Sequence, residues 1–164
     1  MSHSTLTRTA ESGFFSGPGR VVVGVDGSKS SMQALEEAAE IAAWRGWTLD
    51  LVTAWDPAQA TSFFGYDYGG IAVAAAEAAE ESLRDACSYL KDNHPEIPVH
   101  SEVVEGAPAS VLCERSRGAG ILVLGSRGLG GFSSLALGSV GQACVHHAHC
   151  PVLIVRPKTR DLDS

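Results

Sequence analysis

From Arg20 onward, short β-branched runs alternate with longer stretches of helical periodicity, a pattern that predicts crossover connections and a parallel sheet. The run Val21-Val22-Val23-Gly24-Val25 is continuously apolar, as a strand covered on both faces should be. Asp26-Gly27-Ser28 then supplies a turn and a helix cap, with Asp26 a candidate N-cap. Ala34, Ala38, Ile41 and Ala42 fall on one stripe, with Glu36, Glu37 and Glu40 mostly off it, which predicts an amphipathic helix stopping near Gly46. A second strand is predicted from Thr48 to Trp55, closed by Asp56-Pro57, because proline discourages continuation. Residues 57–70 read as a loop rich in aromatics, Phe63, Phe64, Tyr66 and Tyr68: a lid, a contact surface, or a loop docked on its own domain.

A long helix follows to about His94, with Ala79, Leu83, Ala86 and Leu90 marking its buried face. A third strand is predicted from Ile97 to Val104, and Glu105-Gly106-Ala107-Pro108 opens a short helix ending at Gly118. The fourth strand, Ile121 to Leu124, runs into Gly125-Ser126-Arg127-Gly128. The last helix starts at Gly138-Ser139-Val140, carries Val140, Ala143, Cys144 and His147 at core spacing, and ends at Cys150-Pro151. Val152 to Val155 form a fifth strand. Trp44 and Trp47 are expected to pack the end of the first helix, and Trp55 is a candidate contact for a bound base. The expected organisation is a flexible tail over 1–18, one domain over 19–157 and a polar tail over 158–164, with no internal repeat.

Composition narrows the function classes. The 164 residues are 45% hydrophobic, enough for one core, and the formal net charge of -7 argues against a surface built to neutralise nucleic acid. Small molecules or proteins are the expected partners. The first eighteen residues lack the apolar run of an export leader, and no stretch approaches the roughly 18 consecutive apolar residues of a membrane helix. A cytoplasmic chain with no membrane association is expected. Cys87, Cys113, Cys144 and Cys150 contain no CxxC pair and suggest neither a disulfide framework nor a zinc knuckle. His146, His147 and His149 sit near a helix C-terminus, where partial positive charge is favoured, and their spacing is irregular for a metal.

In an open parallel sheet, ligands sit beyond the carboxyl ends of the strands, where helix N-termini converge. Two strand ends carry unusual residues: Gly24-Val25-Asp26-Gly27-Ser28, and the glycine segment after Leu124. Gly125 and Gly128 would let backbone approach a ligand, while Gly138-Ser139 offers free amides and a hydroxyl at a helix start. Together these make an anion site that needs no lysine, Arg127 being the loop's cation. The dinucleotide fingerprint does not fit, since only GVDGS follows the first strand, and no Walker A loop occurs.

The pattern Gly125-x2-Gly128-x9-Gly138-Ser139 resembles the G-2x-G-9x-G-[ST] phosphate motif of ATP-binding universal stress proteins. The likeness spans about Arg20 to Arg156, through Val25-Asp26-Gly27-Ser28, Trp55-Asp56-Pro57, Glu105-Gly106-x-Pro108 and the closing Cys150-Pro151-Val152-Leu153-Ile154-Val155. It implies an open, Rossmann-like five-stranded sheet in the order 3-2-1-4-5, with helices on both faces. It also implies ATP, or AMP or ADP, with magnesium an option, lying across the ends of strands one and four. By motif position, Asp26 would reach the ribose or a phosphate-bound metal, and backbone near Gly24 and Val25, with Ala54, would frame the adenine. Leu124 and Gly125 would lie near the ribose, and Gly128, Gly138, Ser139 and Val140 would embrace the phosphates. The chain departs at Gly141, where a serine or threonine is frequent in that family.

No nucleophile stands beside a base, so no catalytic residue is assigned. The expected role is a nucleotide-dependent sensing module in stress response. A weak magnesium-dependent ATPase using Asp26, and an interaction protein with a vestigial pocket, are the alternatives. The strand Val152 to Val155 would lie bare at the sheet edge, which predicts a homodimer through it, as the resemblance also implies.

Overall fold

The structure is a computed structural model that describes residues 19–62, 69–129 and 137–157. The two tails, the aromatics Phe63, Phe64, Tyr66 and Tyr68, and residues 130–136 lie outside the described residues. Strands β1 (Arg20–Gly24), β2 (Thr48–Trp55), β3 (Val99–Glu105), β4 (Ile121–Gly125) and β5 (Val152–Val155) form one sheet in the order β3-β2-β1-β4-β5. Every neighbouring pair is parallel, so the sheet and strand order are as expected.

β1 holds the centre because Val21, Val22 and Val23 have no exposed surface at all. The two-residue period of a strand splits them between faces. Val21 and Val23 pack under helices α1 (Lys29–Arg45) and α3 (Gly69–Asn93), with Ala34, Leu35, Ala38, Leu83, Ala86 and Leu90. Val22 packs with Val52, Leu122 and Leu124 under α4 (Pro108–Arg115) and α5 (Ser139–His147), through Val111, Leu112 and Cys144. Each valine or leucine side chain fully removed from water contributes about 1.5–3 kcal/mol. The Cys144 thiol, beside Cys113 in this second layer, is pushed up to about 12, chiefly by burial.

The local endings follow from particular residues. Ser28 caps α1, its hydroxyl accepting from the Ser31 amide at 3.1 Å, so Asp26 is not the N-cap. Gly46, at φ 65°, turns the chain out of α1. At the opposite end of the sheet from the strand carboxyl ends, buried Arg20 pairs with buried Asp50 at 2.8 Å. The same guanidinium donates to the carbonyls of Arg115 and Arg117, just where α4 finishes. Burial pushes the Asp50 carboxyl up, against the opposing pull of Arg20.

Several boundaries differ from expectation. Residues 57–62, expected in a loop, form helix α2 (Pro57–Ser62). Asp56 accepts the Ala58 amide at 2.9 Å and Pro57 occupies the first helical position, so the pair that stops β2 also starts a helix. β3 begins at Val99 rather than Ile97, because Ile97 closes a turn onto the His94 carbonyl and Pro98 has no amide to pair. α4 ends at Arg115, three residues short of Gly118. His147 is exposed rather than on the buried face of α5. Trp44 is 80% exposed beneath the Arg45 guanidinium, whereas Trp47 packs on the core and over Gly120. No helix among the described residues is long and apolar enough to cross a membrane.

Candidate functional site

A cleft of about 500 Å³ opens beyond the carboxyl ends of β1 and β4, the point at which strand order reverses. Gly24, Val25, Asp26, Ala54, Leu124, Gly125, Arg127, Gly128, Gly138, Ser139 and Val140 all line it, so these eleven sequence-predicted residues surround one space. Trp55 is not among the lining residues. Sequence reasoning missed Ser31, Val52, Gln59, Pro108, Leu112, Ser126 and Leu129. Gln59 belongs to α2, and the Asp56-Pro57 pair was the signal that would have found it.

At one end of the cleft the sheet offers open backbone. The Val25 amide donates to the Val52 carbonyl at 2.9 Å, so Val52 turns its main-chain groups toward β1. Parallel strands alternate, which turns Thr53 toward β3 and Ala54 toward β1 again. β1 has ended at Gly24, opposite Val52, and the Ala54 N–H and C=O find no backbone partner among the described residues. They present a donor and an acceptor side by side at a lining position.

At the other end is the start of α5. Its N-cap, Gly138, has no side chain to satisfy the helix amides. The first return bond runs from the Gln142 amide to the Gly138 carbonyl at 3.0 Å, leaving the amides of Ser139, Val140 and Gly141 at the helix's open end. The Gly138 amide itself, expected to be free, donates to the Ser126 carbonyl at 2.8 Å. Partial positive charge gathers at this terminus, and exposed Arg127 stands beside it.

Asp26 lies between the two ends. Its Oδ1 accepts from the Ser28 amide at 2.9 Å and its Oδ2 from the Leu129 amide at 3.2 Å. The carboxylate thus joins the β1 turn to the β4 loop. A magnesium ion on bound phosphates would call on Asp26, the only carboxylate among the described lining residues, and each of its two oxygens accepts one amide. Each of those oxygens keeps a second lone pair, and no group of three or more His, Cys, Asp or Glu able to hold a metal by itself is found among the described residues.

The glycines have more than one reason to be there. A methyl at Gly128 would lie 2.8 Å from Asp26 Oδ2, so this glycine admits the carboxylate bridge. A methyl at Gly24 would lie 2.8 Å from Leu124 and 3.2 Å from Leu112. One at Gly125 would meet the Ser30 backbone at 2.7 Å. Both were expected to make way for ligand or to frame it, yet both also make way for the chain's own packing.

The universal stress protein family model matches residues 18–156. A universal stress protein of Mycobacterium tuberculosis is 36% identical over 136 residues, covering 83% of this chain and 45% of that protein. The chain therefore spans about half the length of the curated relatives it matches. A solved universal stress protein in complex with cAMP superimposes with a TM-score of 0.61 at 31% identity, covering 84% of this chain and 95% of that one. A protein of the family from Burkholderia pseudomallei gives 0.64 at 27% identity, with 84% and 95% covered.

Proposed function

The chain belongs to the universal stress protein family, and within it we propose that the cleft binds an adenine nucleotide, ATP, ADP or AMP, as a nucleotide-dependent sensing module in stress response. The observation that carries the reading is the pairing of two unlike ends in one cleft: open strand backbone at Ala54 and an uncapped helix start at Ser139. Adenine presents an acceptor at N1 beside a donor at N6, which complements a main-chain N–H beside a C=O. Guanine presents the reverse polarity. A backbone donor and acceptor cannot exchange places as a rotating side-chain amide can, so this edge favours adenine. The phosphate end then falls on the amides of α5, with Arg127 alongside. The related protein solved with cAMP supports an adenine ligand for this fold at appreciable identity.

The test is titration calorimetry with AMP, ADP, ATP and GMP. Binding of at least one adenine nucleotide, with AMP favoured over GMP by about tenfold or more, is expected; each tenfold step corresponds to about 1.4 kcal/mol. Absence of all adenine-nucleotide binding at millimolar concentration would overturn the reading.

A further inference from the structure

We propose that Cys113 and Cys144 form a peroxide-responsive pair, two thiols that oxidise to an intrachain disulfide joining α4 to α5. The observation that carries the inference is the approach of their sulfurs to 4.0 Å where these two helices meet. It is independent of the nucleotide reading and goes beyond it.

The two residues stand 31 positions apart in the chain and meet because α4 and α5 pack on the same face of the sheet. A disulfide bond is about 2 Å long, so each sulfur has about 1 Å to travel, within the swing of a cysteine side chain. The surroundings give the two thiols different parts. Cys144 has no exposed surface, whereas Cys113 is half-buried, so an oxidant arriving from solvent meets Cys113 first. Burial pushes the Cys144 thiol up and keeps it protonated behind its partner. The other two cysteines are placed differently. Cys87 packs with the layer under α1 and α3, across the sheet, and the Cys150 thiol donates to the Pro151 carbonyl at 3.4 Å.

Hydrogen peroxide supplies the oxidising equivalents. Cys113 Sγ bonds to one peroxide oxygen as the O–O bond breaks, and the Cys113 proton leaves with the departing hydroxide as water, giving a sulfenic acid. Cys144 Sγ then bonds to the sulfenic sulfur, the S–O bond breaks, and the Cys144 proton leaves with that hydroxide as a second water. Two electrons pass from the two sulfurs to the peroxide. A second thiol this close halts Cys113 at a reducible state, short of sulfinic acid. The product also bears on the cleft. Leu112, one residue before Cys113, and Val140 and Gly141, one turn before Cys144, are among its lining residues, so the disulfide ties together two helices that wall it.

The experiment treats the reduced full chain with hydrogen peroxide in slight molar excess, counts the free thiols and maps the peptides by mass spectrometry. Wild type is expected to lose two of its four thiols together, to run as a single chain on a non-reducing gel, and to yield peptides joined through Cys113 and Cys144. Dithiothreitol should restore both thiols. Cys144→Ala should leave Cys113 as a sulfenic acid that dimedone captures, where wild type escapes capture by closing the disulfide. Four free thiols after treatment, a link through Cys87 or Cys150 instead, or Cys113 carried to sulfinic acid in wild type would each overturn the inference. These outcomes are read on the unmodified chain, so the test decides even should Cys144→Ala fold poorly.

Discussion

Gly125 shows how one small residue answers two demands. Its α-carbon faces the first turn of α1 so closely that a methyl would fall 2.7 Å from the backbone C and O of Ser30 and 2.5 Å from its hydroxyl. Backbone cannot move aside as a flexible side-chain end can. Gly125→Ala should therefore destabilise the fold by about 1–3 kcal/mol, the usual range for overpacking. A lowered urea midpoint with unchanged slope would register it; an unchanged midpoint would mean that α1 and β4 are not packed as closely as described. The same residue explains what the sequence could and could not reveal. Glycines clustered after a strand announce close approach, and Gly125, Gly128 and Gly138 do meet at one cleft. Whether a glycine yields to ligand or to the chain's own backbone is not written in its identity, since either neighbour asks only for a missing side chain. Asp26 is similar: its place at a strand end was legible, but its bridge to the Leu129 amide joins segments more than a hundred residues apart.

Elements were legible where a stripe or a continuous apolar run was long, as in α1, α3 and the central strands. They were misjudged where two signals shared the same residues. Asp56-Pro57 ends β2 and begins α2, and only the first meaning is plain from the residues alone. Contacts between elements lay further out of reach. Glu36 of α1 accepts the Tyr89 hydroxyl of α3 and lies 3.2 Å from His94 Nε2, just beyond the end of α3. The hydrogen bond to Glu36 pushes the Tyr89 phenol up to about 12. The sign of its effect on stability follows. The folded chain holds this proton more tightly than the unfolded chain, whose tyrosines titrate near about 10, so the contribution is complete below about pH 10 and is lost as pH climbs through about 12. Wild type should lose part of its stability across that window, and Tyr89→Phe should lose less over the same interval. Identical alkaline losses in the two proteins, measured by urea unfolding between about pH 9 and about pH 11, would remove Tyr89 from the account.

At the scale of the whole molecule, the sheet has two edges of different character. β3 is the more polar, with His100, Ser101 and Glu105 exposed, while β5 is a half-buried run of Val152, Leu153, Ile154 and Val155. The carbonyls of Pro151 and Val155 accept from Leu122 and Ser126 of the β4 segment. By alternation, residues 151, 153 and 155 face β4, and the main-chain groups of Val152 and Ile154 face outward. We propose that this open edge pairs with its counterpart in a second copy of the chain. Val152→Pro removes an outward amide and spares the bonds to β4, so it should shift the protein from dimer to monomer while circular dichroism is retained. Light scattering at micromolar concentration checks both forms, and a wild-type monomer would refute the pairing. Strand order and parallel sense were readable from alternating element types and a family resemblance. The burial of Arg20 and Asp50 at the far end was not, because charged residues inside apolar runs acquire partners only once distant segments are brought together.

The bond from the Gly138 amide to the Ser126 carbonyl clasps the β4–α5 connection at its neck. A segment whose two ends are held together in this way tolerates a change of length at small entropic cost. Doubling the length of such a segment raises its closure entropy cost by only about 0.6 kcal/mol. A change of length between Ser126 and Gly138 should therefore cost the five strands beneath little stability.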